Sequence, residues 1–464
     1  MAPSQPERYL PRDEASHELR GYLLRLYAEA VQSPWPADHV AGFFFRKNAS
    51  LAGRGKGFVA ATLFALLRKR VRLVILALAA KSGTRSLVEP IDLDAFPPEQ
   101  EAQRALVRWL VEDMRASAED AVDLLTIACS TAKVARPFPG IEEFARAVKQ
   151  NTLNRVLSPL LRESAHYSLH PDLTARWRRR FGSESLAALA ESMQEPAPLQ
   201  LRVNTHLQSR ESVLRALRGG ELEARLTDFS PQGIELAQKF NLNKINGLDE
   251  SSWEIQDEGS QLVGLALDPP KGARILDACA GGGGKSLHLA SMHPNCTVDS
   301  WDLDPARLEP LAERRDRGRL RNITLLKDAP AAPDAWDAVL VDAPCMGLGR
   351  LRRDPALQWR GGSVNDRIGE TARLQRECLA SYAPLVKRGG ELVYAVCSFE
   401  EEETEGVLRD FEGRFPQFRR EPLPKLFQGP AFAPLRSPDG AWVILMPPLH
   451  GTDGFFIARY RREL

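Results

Sequence analysis

The sequence has few cysteines, and their spacing excludes two classes of protein. Six occur among 464 residues, and none forms a Cys-x-x-Cys pair, so we expect neither a disulfide-rich scaffold nor a zinc site, and no bound metal. The net charge is only +1. The chain therefore lacks the overall basicity of many nucleic-acid-binding proteins, although local basic clusters can still bind a phosphate backbone.

Long apolar runs are also lacking. The longest one in the N-terminal third is LVILALAA, residues 73–80, which is too short to cross a bilayer. The first twenty residues are polar and charged, without the apolar core of a secretory signal. Both observations predict a cytoplasmic protein without membrane contact, in which thiols stay reduced and available for chemistry.

The pattern of apolar residues changes twice along the chain and predicts three domains. Residues 1–163 have apolar residues at helical spacing and predict an all-helical domain. Residues 164–253 mix helical and extended segments and predict a small α/β subdomain. From 254 to 464 strands and helices alternate, which is typical of an α/β Rossmann-like fold with a mostly parallel sheet, here of seven strands. The last two strands have no helix between them and are expected to form an antiparallel edge.

A glycine loop marks the first strand of this last domain. ILDACAGGGGKSLHLA, residues 275–290, reads as strand, loop and helix, and open α/β sheets bind ligands at such loops. A phosphate-binding P-loop would need glycine where Cys279 stands, which disfavours an NTPase. Asp302 and Asp328 follow the next two strands, and two carboxylates would repel a triphosphate. They could instead accept hydrogen bonds from a ribose and an adenine, so S-adenosylmethionine, which has no phosphate and a cationic sulfonium, fits best.

Two cysteines lie at the ends of the fourth and fifth strands. Cys345 follows Asp342 in VDAPCMGLG, and Cys397 follows the strand in YAVCS. A thiolate that adds to carbon 6 of a pyrimidine activates carbon 5 toward a sulfonium methyl group, and a second group must then assist release. The residues alone leave open which cysteine attacks. Asp342 could bind the base edge, and Lys285 could orient Asp342 or stabilise charge.

Basic clusters border the expected cleft. Arg350, Arg352 and Arg353 follow Cys345 closely, and Arg202 and the run RWRRRF at 176–181 add positive charge. We expect the four named arginines to contact an RNA backbone. The target base would have to leave its stack to reach a thiol.

Five stretches of the C-terminal half resemble the NOL1/NOP2/Sun family of RNA 5-methylcytosine methyltransferases. They occur in the family's order over roughly 195–464, and they read WEIQDEGSQL, LDACAGGGGKS, WDLDPARL, VDAPCMGLGRLRRDP and YAVCSFEEEETEGVL. By this resemblance Cys397 is the attacking thiolate and Cys345 assists product release. The resemblance also implies a set of cofactor-binding residues, namely Cys279, Ala280, Gly281, Gly282, Gly283, Gly284, Lys285, Asp302, Asp328 and Asp342.

The N-terminal domain is similar to the helical RNA-binding domain of the antitermination factor NusB, through GKGFVAATLFALLRKRVRL. Together the two resemblances imply a monomeric, S-adenosylmethionine-dependent RNA cytosine-C5 methyltransferase, and suggest 16S ribosomal RNA as its substrate. The alternative is a non-catalytic RNA-binding or ribosome assembly factor on the same fold. Such a factor would be expected to lack Asp302 or one of the two cysteines, and all three are present.

Overall fold

The chain packs as two units in a computed structural model that describes residues 14–51, 53–82, 91–151, 153, 156, 158–237 and 248–464. One unit comprises Met1–Glu195 with Leu351–Val364, and the other comprises Pro196–Arg350 with Asn365–Leu464. The predicted boundary after residue 163 falls inside a helix, Pro159–Tyr167, and the helical unit extends further, to Glu195. The division into three domains stays a prediction.

The first unit is helical, as the apolar spacing predicts. Its helices are α1 Glu14–Gln32, α2 Ala37–Lys47, α3 Gly53–Arg68, α4 Arg70–Ser82, α5 Pro98–Arg108, α6 Ala118–Ala132, α7 Ile141–Lys149, α8 Pro159–Tyr167 and α9 Pro171–Gln194. Local signals set several of their ends. Ser117 caps α6 by accepting a hydrogen bond from the Asp120 amide, and proline occupies the first turn of α5, α8 and α9. Among the described residues, no helix is both long and apolar enough to cross a membrane.

The second unit begins with a small antiparallel sheet. Its strands are β1 Leu199–Val203, β2 Ala224–Leu226, β3 Gly233–Leu236 and β4 Trp253–Ile255, in the order β2-β3-β1-β4. Helix α10, Arg210–Gly219, covers this sheet with its apolar face. Ser209 accepts a hydrogen bond at the start of α10, and Gly220 follows its end, in agreement with the start and stop signals in the sequence.

The larger sheet of the second unit contains the elements that bear the candidate site. The helices are α11 Glu258–Leu265, α12 Gly284–Met292, α13 Glu309–Arg317, α14 Val364–Tyr382, α15 Glu405–Arg414 and α16 Pro447–His450. The strands are β5 Arg274–Asp277, β6 Thr297–Ser300, β7 Ile323–Leu325, β8 Trp336–Asp342, β9 Val386–Val396, β10 Phe418–Arg420, β11 Trp442–Leu445 and β12 Phe455–Arg462.

The strand order fixes where a ligand can bind. The sheet runs β10-β12-β9-β8-β5-β6-β7, and β11 pairs with β12. Strands β5 to β9 are parallel, and the chain moves outward from β5 in one direction through β6 and in the other through β8. Such a reversal of direction opens a crevice at the carboxyl ends of the central strands.

The predicted Rossmann-like fold is confirmed, including the antiparallel edge. All seven predicted strands are present, and β11 and β12 pair antiparallel. Strand β12 also pairs antiparallel with β9. One short strand, β10, joins the sheet in addition. It has three residues, two of them exposed arginines, so it shows no apolar alternation from which to predict it.

Candidate active site

The carboxyl ends of β5, β6, β8 and β9 place the candidate residues at one edge of the sheet. Asp277 ends β5, and Asp302 lies two residues beyond β6. Asp342 ends β8, and Cys397 follows β9 directly. Because β9, β8, β5 and β6 are consecutive neighbours in the parallel part of the sheet, these four side chains share the crevice side of the fold.

The glycine loop turns sharply and leaves the backbone at Gly282 accessible. Gly283 has φ +80°, and a Cβ atom added there would lie 2.3 Å from Leu311 Cδ1, so this position requires glycine. Gly282 is different. A Cβ atom on it would meet nothing closer than Arg314 Nη1 at 3.6 Å. Helix α12 begins at Gly284, and the loop therefore presents accessible backbone at a helix N-terminus.

Asp302 is held against this loop. Its carboxylate is 5% exposed and accepts a hydrogen bond from the Gly281 amide at 2.8 Å. The Asp304 amide donates to its other oxygen at 3.1 Å, and the Arg307 guanidinium lies 3.3 Å away. Asp328, the second predicted acid, lies exposed three residues beyond β7.

Asp277 is a further acid of the site that was not predicted from the sequence. Burial raises its pKa to about 6, against the opposing effect of the hydrogen bond from Ser286. The Ser286 hydroxyl donates to Asp277 at 2.6 Å, which ties β5 to helix α12. A strand that ends in an aspartate just before a glycine loop was the available signal.

Lys285 and Asp342 form an ion pair beside the loop. Lys285 Nζ lies 2.5 Å from Asp342 Oδ2. Burial alone would lower the pKa of Lys285, but the charge and the hydrogen bond of Asp342 outweigh it, so this pKa is raised. The lysine therefore stays protonated, and its ion pair fixes the position of the Asp342 carboxylate.

The two predicted cysteines meet at the ends of β8 and β9. Cys345 Sγ lies 3.2 Å from Cys397 Sγ. The hydrogen bond from Cys345 lowers the pKa of Cys397, and the positive charges of Arg350 and Lys285 act in the same direction against burial. The same hydrogen bond, together with burial, raises the pKa of Cys345 well above its usual range. The arrangement thus favours a thiolate at Cys397 and a thiol at Cys345.

Backbone hydrogen bonds hold the two cysteine loops together. The Ala343 amide donates to the Ala395 carbonyl at 2.9 Å, and the Gly349 amide donates to the Cys397 carbonyl at 3.0 Å. The loop before β12 closes against them, since the Gly454 amide donates to the Gly349 carbonyl at 2.8 Å. A Cβ atom on Gly349 would lie 2.1 Å from the Gly454 carbonyl oxygen. The close approach of these loops therefore depends on glycine at 349.

Glu403 holds the loop that bears Cys345 through hydrogen bonds, and this role was not predicted from the sequence. One oxygen, Oε1, accepts from the Met346 amide at 2.8 Å, from Thr371 Oγ1 at 2.7 Å and from Gln375 Nε2 at 3.0 Å. The side chain is fully buried, and burial raises its pKa. Met346 directly follows Cys345, so Glu403 links the position of this thiol to helix α14.

A second pair of thiols lies by the glycine loop. The hydrogen bond between Cys279 and Cys378 raises the pKa of Cys279 well above its usual range, and burial adds to this effect. The same hydrogen bond lowers the pKa of Cys378. Cys279 was predicted to contact the cofactor. Its partner lies within helix α14, and nothing in the sequence distinguishes it from an ordinary helical cysteine.

The four predicted RNA-binding arginines do not form one exposed patch. Arg350 is exposed and Arg353 is half-buried. Arg352 is only 7% exposed and Arg202 only 2%, so neither side chain lies on the surface, and contact of the four arginines with RNA stays a prediction. Arg202 lies in β1 between buried neighbours, and burial lowers its pKa to about 10. Arg352 and Arg353 belong to Leu351–Val364, the segment that packs with the helical unit.

Comparisons with known proteins find relatives for two stretches of the chain and for most of its length. Residues 264–461 match a family model described as 16S rRNA methyltransferase RsmB/F. Residues 170–243 match the ferredoxin-like domain of RsmF/B-like methyltransferases. A protein of Bacillus subtilis, a probable ribosomal RNA small subunit methyltransferase B, is 31% identical over 365 residues, which are 75% of this chain and 78% of that protein.

Two solved structures have similar folds. The protein PH0851 matches with a TM-score of 0.74 and 23% identity, over 96% of this chain and 99% of that chain. A methyltransferase homologue from Pyrococcus horikoshii matches with a TM-score of 0.56 and 27% identity, over 66% of this chain and 100% of that one.

Proposed function

Because this chain belongs to the RsmB/F family of 16S rRNA methyltransferases, we propose that it methylates carbon 5 of a cytosine in small-subunit ribosomal RNA through a thiolate at Cys397. The observation that carries this proposal is the pair of thiols, 3.2 Å apart, with pKa values displaced in opposite directions by their hydrogen bond. One thiol is thereby prepared for attack, and the other stays protonated until a later step.

The methyl donor of the family is S-adenosylmethionine, which supplies an electrophilic methyl group on a sulfonium. The glycine loop fits such a ligand because Gly282 is exposed and a Cβ atom on it would meet nothing closer than 3.6 Å, so its backbone is accessible. Asp302 can accept hydrogen bonds from ribose hydroxyls, as acids at this position of a Rossmann-like fold do. The remaining predicted contacts, at Cys279, Ala280, Gly281, Gly283, Gly284, Lys285, Asp328 and Asp342, are part of the same proposal.

The first step is attack by Cys397 on carbon 6 of a cytosine that has left its stack. The sulfur's electron pair forms the S–C6 bond, and the C5=C6 electrons make carbon 5 nucleophilic toward the methyl group. Asp342, oriented by Lys285 at 2.5 Å, can accept a hydrogen bond from the amino group of the base, or from N3 once N3 has taken a proton from solvent. Negative charge placed there stabilises the protonated ring and hence the adduct.

The last step needs a base, and Cys345 is suited to it once the adduct exists. The hydrogen bond to Cys397 and the charge of that thiolate are among the causes that raise the pKa of Cys345. Both disappear when Cys397 is a neutral thioether, so Cys345 becomes easier to deprotonate at that stage. It can then take the proton from carbon 5, the C5=C6 bond re-forms, the S–C6 electron pair returns to Cys397, and N3 returns its proton to solvent.

Two cysteine variants test this proposal with purified chain, unmodified small-subunit RNA and labelled S-adenosylmethionine. Cys397→Ser should abolish methyl transfer while the cofactor still binds, because a hydroxyl is a far weaker nucleophile than a thiolate at neutral pH. Cys345→Ala should accumulate a covalent protein–RNA adduct, because release loses its base.

Cys129→Ala is the matched control, since this thiol belongs to helix α6 of the first unit, burial raises its pKa to about 11, and no step uses it. It should retain methyl transfer. Near-wild-type turnover by Cys397→Ser would refute the thiolate mechanism. Absence of methyl transfer by the wild-type chain would favour a non-catalytic assembly role.

A further inference from the structure

Helix α2 of the first unit has an unusual solvent-facing side. Trp35, just before the helix, is 64% exposed, and Phe43 within it is 51% exposed. Among the described residues, these two are the only aromatic side chains in the set of exposed large hydrophobic residues; the others are aliphatic. Tryptophan and phenylalanine usually bury most of their surface in a core, so two exposed rings on one element indicate a binding surface.

The exposed rings alternate with basic groups at helical spacing. Trp35, His39, Phe43 and Lys47 follow one another at intervals of four residues, and all four are exposed. Residues four apart lie on the same side of a helix. We call these four residues the α2 ridge. His39 and Lys47 are eight residues apart, so the helical part of the ridge is about 12 Å long at 1.5 Å per residue.

Other side chains of α2 already lie close to the two aromatic rings of the ridge. The rings of Trp35 and His39 lie 6.3 Å apart between centroids. Lys47 Nζ lies 4.4 Å from the centroid of Phe43, and Arg46 Cζ lies 5.8 Å from it. Both cations therefore lie over the ring of Phe43, close enough to reach the phosphate of a nucleotide whose base stacks on that ring.

The opposite side of α2 packs against the core of the first unit, so the ridge is not needed to hold this helix in place. Ala37, Ala41 and Phe44 are buried, and the ring of Phe44 packs edge-on against Tyr22 at 6.1 Å. Val40 is only partly exposed and packs against the core. The ridge itself has no exposed aliphatic residue. A surface that binds the apolar helix of another protein would be expected to have such residues.

We propose that the α2 ridge binds a single-stranded segment of RNA, with bases stacked on Trp35 and Phe43 and phosphates near Arg46 and Lys47. Aromatic faces accept any base, and cations at the same spacing neutralise the backbone. Asp38 is the one exposed acid of α2, and the two cations at its end outweigh it. This inference rests on the proposed function only in that RNA is the substrate of the chain.

Fluorescence anisotropy with the full chain and a short unstructured oligoribonucleotide tests the ridge. The double variant Trp35→Ala/Phe43→Ala should bind at least about tenfold more weakly, because stacking contributes about 1–3 kcal/mol for each base. Its slope of log affinity against log salt should not change. Arg46→Gln/Lys47→Gln should instead reduce that slope by about 0.7 for each phosphate that the variant no longer neutralises.

Two controls separate stacking from general damage to the fold. Trp35→Phe/Phe43→Tyr keeps both rings and should bind within about twofold of wild type. Ile127→Ala removes an aliphatic side chain that is 38% exposed on α6 of the same unit, and it should have no effect. If Trp35→Ala/Phe43→Ala, the ring-free variant, binds RNA with wild-type affinity, the proposal is overturned. The surface would then be expected to bind another protein.

The ridge and the catalytic proposal can fail separately. Cys397→Ser, which is expected to be inactive, should bind the same oligoribonucleotide as tightly as wild type. If no RNA is methylated, the anisotropy comparison still decides the ridge. If methyl transfer occurs but the ring-free variant binds RNA normally, only the ridge is refuted.

Discussion

Glu403 gives a sharp prediction because one oxygen of this buried carboxylate serves three donors. Glu403→Ala removes the acceptor of the Met346 amide, 2.8 Å away, and of the side chains of Thr371 and Gln375. Each unpaired buried donor costs about 1–3 kcal/mol. For the Met346 amide alone, that loss corresponds to hydrogen exchange about 5- to 150-fold faster through local opening. The loop that bears Cys345 should therefore loosen.

Hydrogen–deuterium exchange of the peptide that contains Met346 measures this loosening directly, and methyl transfer is measured in parallel. Glu403→Gln is the matched variant, because its amide oxygen can still accept from all three donors. We expect slow exchange and most of the activity in the glutamine variant, with fast exchange and accumulated adduct in the alanine variant. Equal loss of activity in both variants would refute the reasoning, since it would mean that the charge of Glu403, rather than its acceptor geometry, is required.

Three further predictions concern the thiolate, the loops and the cofactor. Arg350→Gln removes a charge that lowers the pKa of Cys397, so the acid limb of the pH profile of kcat/KM should move to higher pH; an unmoved limb would contradict this. Gly349→Ala forces a Cβ atom to 2.1 Å from Gly454 and should cost about 1–3 kcal/mol of stability together with most of the activity. Gly413→Ala, where a Cβ atom meets nothing within 4 Å, is its control. Equal midpoints of thermal unfolding for the two variants would contradict the predicted loss of stability. Asp302→Asn should weaken S-adenosylmethionine binding about 10- to 100-fold by calorimetry, because hydrogen bonds to a charged group are lost; an unchanged Kd would remove Asp302 from the site.

The positions of the strands and of the two cysteines could be predicted because they depend on local patterns. Apolar runs bounded by glycine and aspartate mark β5 and β8, and the parallel fold brings their carboxyl ends to one edge. The roles of the two thiols could not be derived in this way. Cys345 and Cys397 are both strand-end cysteines in the sequence, and what distinguishes them is the opposite displacement of their pKa values and the charges around them.

Long-range burial explains why Glu403 was missed and why Arg202 is more buried than its sequence suggests. Glu403 is the last of four consecutive glutamates. Glu401 and Glu402 are exposed, whereas tertiary packing buries Glu400 and Glu403. Arg202 is the converse case. A charged residue in a short strand is usually expected to be exposed, but β1 is covered on both faces, so its arginine is buried. A pattern confined to a few residues contains no information on which neighbours the fold supplies.

The central claim is a sulfur–carbon bond between Cys397 and carbon 6 of the target cytosine. Small-subunit RNA that contains 5-fluorocytidine tests it most directly, because fluorine at carbon 5 cannot leave as a proton does, and the methylated adduct is retained. After digestion, mass spectrometry should find the modified nucleotide on the peptide that contains Cys397 and on no other. A nucleotide on Cys345, or no covalent adduct at all while unsubstituted RNA is methylated, would contradict the mechanism.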